Sequence, residues 1–164
     1  MYALTPSDSL FTTYTDADHG GNPDNGRSIG GYIVKMGTGA ISWSSRLQSI
    51  VALSTTEAEF VASTSAGQEI VWLRNLFHEL GYTIPSASPL PIDNRSALSV
   101  AKNPEHHGRM KHLDLCFYWL KDEVEKGTIS VHHVPTDGMA ADIMTNALGR
   151  VKVPGIVKML GLQQ

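Results

Sequence analysis

The chain has 164 residues, 41% of them hydrophobic and 18% charged, and its 16 acidic and 13 basic residues give a formal charge of -3. This composition excludes a disordered polar chain, no apolar run approaches the roughly 20 residues of a membrane-spanning helix, and the charge argues against a basic nucleic-acid-binding tail. One soluble domain in a reducing, intracellular compartment is expected, since the single Cys116 cannot form an internal disulfide and the first residues lack the blocks of a secretory signal.

Residues 10–17 mix Phe11, Tyr14 and threonines, which predicts a strand, and the turn-forming residues 19–26 break it. A second strand over 29–36 and a third over 40–45, reversed at Gly37-Thr38-Gly39, complete an antiparallel meander. Trp43 on the third strand is assigned to the core or to a cross-strand pair. Ser54-Thr55-Thr56-Glu57 has the spacing of a capping box, so a helix over about 55–80 is expected, with Phe60, Val61, Ile70, Leu73 and Phe77 at helical spacing and Gly81 ending it. Pro85 and Pro89 mark a connection into a short strand over 90–93, and Asn94 caps a brief helix reaching Lys102. A third helix is predicted over 111–126 and a fifth strand over 129–134. Thr136 then caps a helix carrying Asp142, and Pro154 lies in the first turn of a last helix. The order implies an α/β (α+β mixed) domain: a five-stranded mixed sheet, the meander plus two further strands, flanked by helices. Residues 1–10 form a lead-in, 11–147 the domain and 148–164 a C-terminal helical tail.

Four acids fall where elements begin or end, or on a helix expected to pack on the sheet: Asp16, Glu57, Asp93 and Asp142. Carboxylates gathered at one end of a sheet repel unless cations neutralise them, and hard oxygen ligands suit magnesium or manganese. Taken singly, an acid at a strand end or helix start is more often a cap than a ligand.

The local sequences are more specific. Tyr14-Thr15-Asp16-Ala17-Asp18, Ser42-Trp43-Ser44-Ser45-Arg46, the stretch 52–60 around Ser54-Thr55-Thr56-Glu57, Asp93-Asn94-Arg95-Ser96-Ala97, Lys111-His112-Leu113-Asp114 and Ala141-Asp142-Ile143-Met144-Thr145 resemble, in this order, the ribonuclease H domain of copia-type LTR retrotransposon polyproteins. The resemblance covers about residues 11–147 and implies the ribonuclease H-like fold. It implies a four-carboxylate site at Asp16, Glu57, Asp93 and Asp142 holding two magnesium ions, for which manganese substitutes. The implied activity is cleavage of the RNA strand of an RNA/DNA hybrid during reverse transcription. An adjoining reverse transcriptase domain is the implied partner, no membrane is involved, and a cytoplasmic retroelement particle or the nucleus is the implied location.

Neighbouring residues are assigned with less specificity. Asp18 points to the same face as Asp16 on a regular strand, while Glu59 lies about 200° round a helix from Glu57 and is set aside. Asp114 reads as a helix-start contact, and His132 and His133 as solvated strand histidines; the stretch 134–142 holds no histidine to serve product release, only Asp137 as a further titratable group. The run 106–112 carries Arg109, Lys111 and three histidines with no acid, which suits a phosphate-contacting edge. Ser54, Thr55 and Asn94 adjoin the implied metal acids, where they would meet ribose 2′-hydroxyls, although capping explains the first two equally well. Two other readings stand beside this one: a catalytically inactive tethering or structural module of the same fold, and another nuclease of the superfamily acting on DNA.

Overall fold

A computed structural model describes residues 10–84, 86–93, 111–135 and 138–162, with 111–114 described by backbone alone. Strands β1 (Phe11–Ala17), β2 (Ile29–Met36) and β3 (Gly39–Leu47) form an antiparallel meander in which Asp16 stands opposite Gly31 and Ile33 opposite Trp43. β3 runs longer than its sequence suggests because pairing continues to Ile29 opposite Leu47. Trp43 is not in the core: it is 63% exposed on an edge strand.

Helix α1 (Thr55–Glu79) starts as the capping box predicts. The Ser54 hydroxyl accepts the Glu57 N–H at 3.2 Å, and the Glu57 carboxylate accepts the Leu53 N–H at 2.7 Å, one residue before the cap. At the other end the Gly81 N–H reaches His78 O and the Tyr82 N–H reaches Phe77 O, a paired closure that needs the positive φ of Gly81.

β4 (Ser88–Ile92) begins two residues before the strand expected at 90–93 and leaves Asp93 just beyond its end; it pairs in parallel with β5 (Ile129–His133). Its two prolines are compatible with this because of which edge they occupy. The Ser88 N–H donates to Thr128 O and Ile92 O accepts from Val134, so Ser88, Leu90 and Ile92 turn their backbone groups toward β5. Pro89 and Pro91 therefore face β1, and they have no N–H to give. β1 and β4 lie side by side, so the strands run β3-β2-β1-β4-β5, yet the ladders remain a three-stranded and a two-stranded unit.

α1 and α2 (Lys111–Glu125) cover one face, where Phe60, Ile70, Leu90, Ile92, Phe117, Leu120 and Ile129 pack together. The opposite face, displayed by Tyr14 and Ile33, is covered by α3 (Asp142–Thr145) and α4 (Lys152–Met159), with Ala140, Ile156 and Leu160 in its core. The Lys35 ammonium donates to Met159 O and the Ala40 N–H to Leu160 O, fastening the end of α4 to the β2–β3 hairpin. α3 starts at Asp142 with Ala141 at its N-cap and no side-chain cap, later than the sequence places it; the expected cap Thr136 lies outside the described residues. The helix expected over 94–102 also lies outside them. Among the described residues no helix is long and apolar enough to cross a membrane.

Candidate active site

Three of the four singled-out acids meet where β1 and β4 end and α3 begins. Asp16 is 8% exposed on the face of β1 that carries α3, Asp93 follows β4, and Asp142 opens α3. Burial pushes the Asp16 carboxyl above its usual pKa of 3.8; the Thr145 hydroxyl opposes that, the charges of Asp93 and Asp142 add to it, and the Ala17 N–H opposes it again. Asp16 and Asp142 share a partner: Asn146 Nδ2 donates at 2.8 Å to Asp142 Oδ1 and at 3.4 Å to Asp16 Oδ2. Lys152 Nζ stands 3.7 Å from Asp142 Oδ2. Thr145 donates to Asp16 Oδ2, and its residue is equally buried at 8% exposed. The sequence reading missed Thr145 and Asn146, although their spacing of three and four residues from Asp142 places all three on one side of a helical turn.

Glu57, the fourth acid, is not brought into this group. Its carboxylate accepts the Leu53 N–H in the cap of α1, and its position is at the margin of the buried arc, which runs from Ala58 through Ala66 and Ile70 to Phe60 and Thr64, well away from the centre of that arc. Glu59, two residues on, lies at the centre of that arc, and its Oε2 is buried. Glu59, which the sequence analysis sets aside, thus stands on the sheet-facing side of α1.

Asp18 has a separate task. Its Oδ1 accepts the Ile29 N–H at 2.5 Å and its own N–H donates to Ile29 O, closing the loop between β1 and β2. Ser54 is occupied as the cap of α1, Thr55 is exposed, and His132 and His133 are exposed on β5. Asn94, Arg109 and Asp137 lie outside the described residues; Lys111 and Asp114 fall on α2, where only backbone is described.

Among the described residues no three His, Cys, Asp or Glu side chains converge as a ready-made metal cage. The donors nevertheless fit a hard divalent cation. All are carboxylate oxygens; Asp93 Oδ1 is buried with no hydrogen-bond partner among the described residues; and the shared Asn146 amide shows Asp16 and Asp142 close enough to hold one electropositive partner. A hollow of about 590 Å³ lined by Gly31, Ser44, Arg46, Gln48, Gln68 and Cys116 includes none of these acids, and Asp142 lines a separate one of about 220 Å³ with Met139, Lys152 and Ile156.

No family model matches the sequence. The chain is 38% identical over 156 residues to the retrovirus-related Pol polyprotein from transposon TNT 1-94 of Nicotiana tabacum, covering 95% of this chain and 12% of that one. It is 36% identical over 149 residues to that from transposon RE2 of Arabidopsis thaliana, covering 91% and 10%. It therefore spans only those small shares of the curated relatives' length. Among solved structures it resembles LC11-RNase H1 in complex with RNA/DNA hybrid, with a TM-score of 0.58 at 19% identity over 83% of this chain and 94% of that one. It also resembles the prototype foamy virus protease-reverse transcriptase, with a TM-score of 0.54 at 13% identity over 98% of this chain and 21% of that one.

Proposed function

We propose, for a chain that belongs to the ribonuclease H domains of copia-type retrovirus-related Pol polyproteins, that it hydrolyses the RNA strand of RNA/DNA hybrids with magnesium as cofactor. The observation that carries this reading is that Asp93 and Asp142, from two other elements, both lie within electrostatic reach of the buried Asp16 at the end of the central strands. Carboxylates so placed raise one another's energy in isolation, and a divalent cation reverses the sign of that interaction.

Asp16, Asp93 and Asp142 hold the cation, with Glu59 as the carboxylate that α1 turns toward the sheet. Bound magnesium supplies Lewis-acid charge against the phosphate oxygens. The chain's residues would do the rest by placement: the acids, which by themselves repel phosphate, would act through the cation they hold, and Thr145 and Asn146 hold Asp16 and Asp142 still. Arg109 and Lys111 are assigned to the hybrid's phosphates, and Asn94 to a ribose hydroxyl that distinguishes RNA from DNA. A reverse transcriptase in the same polyprotein is the partner this reading implies, because a near-neutral surface grips hybrid weakly by itself.

The test is incubation with labelled RNA/DNA hybrid, duplex RNA and duplex DNA, with magnesium and with chelator. The expected result is cleavage of RNA in the hybrid alone, in magnesium alone. Asp16→Asn, Asp93→Asn and Asp142→Asn should each lower the rate by at least about a hundredfold, the scale of losing one preorganised electrostatic contact in a transition state. Cleavage of duplex DNA at the same sites, or wild-type rates in two of these variants at saturating magnesium, overturns the reading.

A further inference from the structure

We propose that Thr145 is a positioning residue that sets the orientation of the Asp16 carboxylate and thereby its affinity for the cation, an inference that rests on the metal-dependent reading above. Asn146 Nδ2 can only donate, so at 3.1 Å the Thr145 oxygen accepts from it; the single hydroxyl hydrogen of Thr145 has two acceptors in reach, Asp16 Oδ2 and, at 3.4 Å, Asp142 O, and the shorter contact with Oδ2 takes it. The result is a relay from amide to hydroxyl to carboxylate that engages Oδ2 and, with the Ala17 N–H, fixes how the carboxylate is turned.

The fold also builds the place where Thr145 lands. Gly31 is the ladder partner of Asp16, and a Cβ there would lie 2.5 Å from Met144 Cβ and 3.1 Å from Thr145 Cγ2. A missing side chain on β2 is thus what lets the α3 turn settle beside Asp16. Ser45 Oγ on β3 donates to Met144 O at 2.6 Å and fixes the same turn from the other strand. Glycine on β2 and serine on β3 thus seat the turn from which the Thr145 hydroxyl reaches Asp16 Oδ2.

The experiment uses the full chain with Thr145→Val, which removes the hydroxyl at nearly constant volume, and Thr145→Ser, which keeps it. Thr145→Ala replaces the valine variant if that one fails to fold by circular dichroism. Cation binding is read calorimetrically with manganese alone, with Asp16→Asn as reference, and hybrid cleavage is read separately as kcat and KM. The hydroxyl-free variant should bind manganese about tenfold or more weakly, the usual cost of removing a group that orients a metal ligand. Its kcat should fall while KM for hybrid stays unchanged, and the serine variant should return to within about twofold of wild type by the same reasoning. If the hydroxyl-free variant binds manganese as wild type does while Asp16→Asn does not, the positioning role is overturned and the metal reading survives. If wild type neither binds manganese nor cleaves hybrid, the metal reading falls and the role of Thr145 falls with it.

Discussion

Glu57 and Glu59 are separated by one residue and by more than half a turn of helix, and that angle assigns them different work. Glu57 ties the first turn of α1 to the preceding loop, whereas Glu59 lies on the arc that faces the sheet. Glu57→Gln retains a side-chain acceptor suited to a capping box, so its stability should stay within about 0.5 kcal/mol of wild type in a urea titration and its hybrid cleavage near normal. Glu59→Gln should leave hybrid binding in place and lower kcat by about a hundredfold or more, as loss of a charged transition-state contact does. Equal losses in both variants would show that the helix phase does not sort them. Asp16 makes a second test. Its folded pKa is raised, chiefly by burial, so the folded chain holds that proton more firmly than the unfolded chain does. The stability cost of its charge is therefore absent below 3.8, grows as pH rises through the window above that value, and is complete at neutral pH. In chelator, Asp16→Asn should melt above wild type at neutral pH, with the difference shrinking under acid; a variant that melts lower at every pH contradicts this.

Elements whose local chemistry agrees with their burial are legible in the sequence, and those set by remote contacts are not. The box at Ser54 and the glycine at position 81 state both ends of α1 in advance, because capping is satisfied within four residues of chain. Ser54→Ala should accordingly cost about 1 kcal/mol in a denaturant melt, the usual loss for an N-cap, and leave KM for hybrid unchanged. A raised KM at undiminished stability would restore Ser54 to substrate contact. Asp16 on the first strand, Asp93 at a strand end and Asp142 on a late helix are likewise legible in the sequence. What stayed hidden was the start of β4, since proline argues against a strand unless one knows which edge it faces, and the partnership of Asp16 with Thr145, which joins positions 129 residues apart. The start of α3 was misplaced because no capping side chain announces it.

For the whole molecule, the contact between β1 and β4 is the place where strand order and hydrogen bonding part company. Two ladders are joined along a line where one side has no N–H to offer, and packing by α1 and α2 must hold what backbone pairing elsewhere would hold. Such a line divides a domain into units that open separately. In chelator, amide hydrogen exchange should resolve two protection levels, with β4 and β5 opening more readily than β1 to β3. Asp16 belongs to one unit and Asp93 to the other, at the ends of the two strands that flank this seam. A cation held between them is therefore a suture, and magnesium should slow exchange in β4 and β5 more than in β2 and β3, drawing the two levels together. A single exchange level in chelator would mean the seam has no mechanical identity. With two levels, the cation proposed to serve cleavage would also be the stitch that closes the protein.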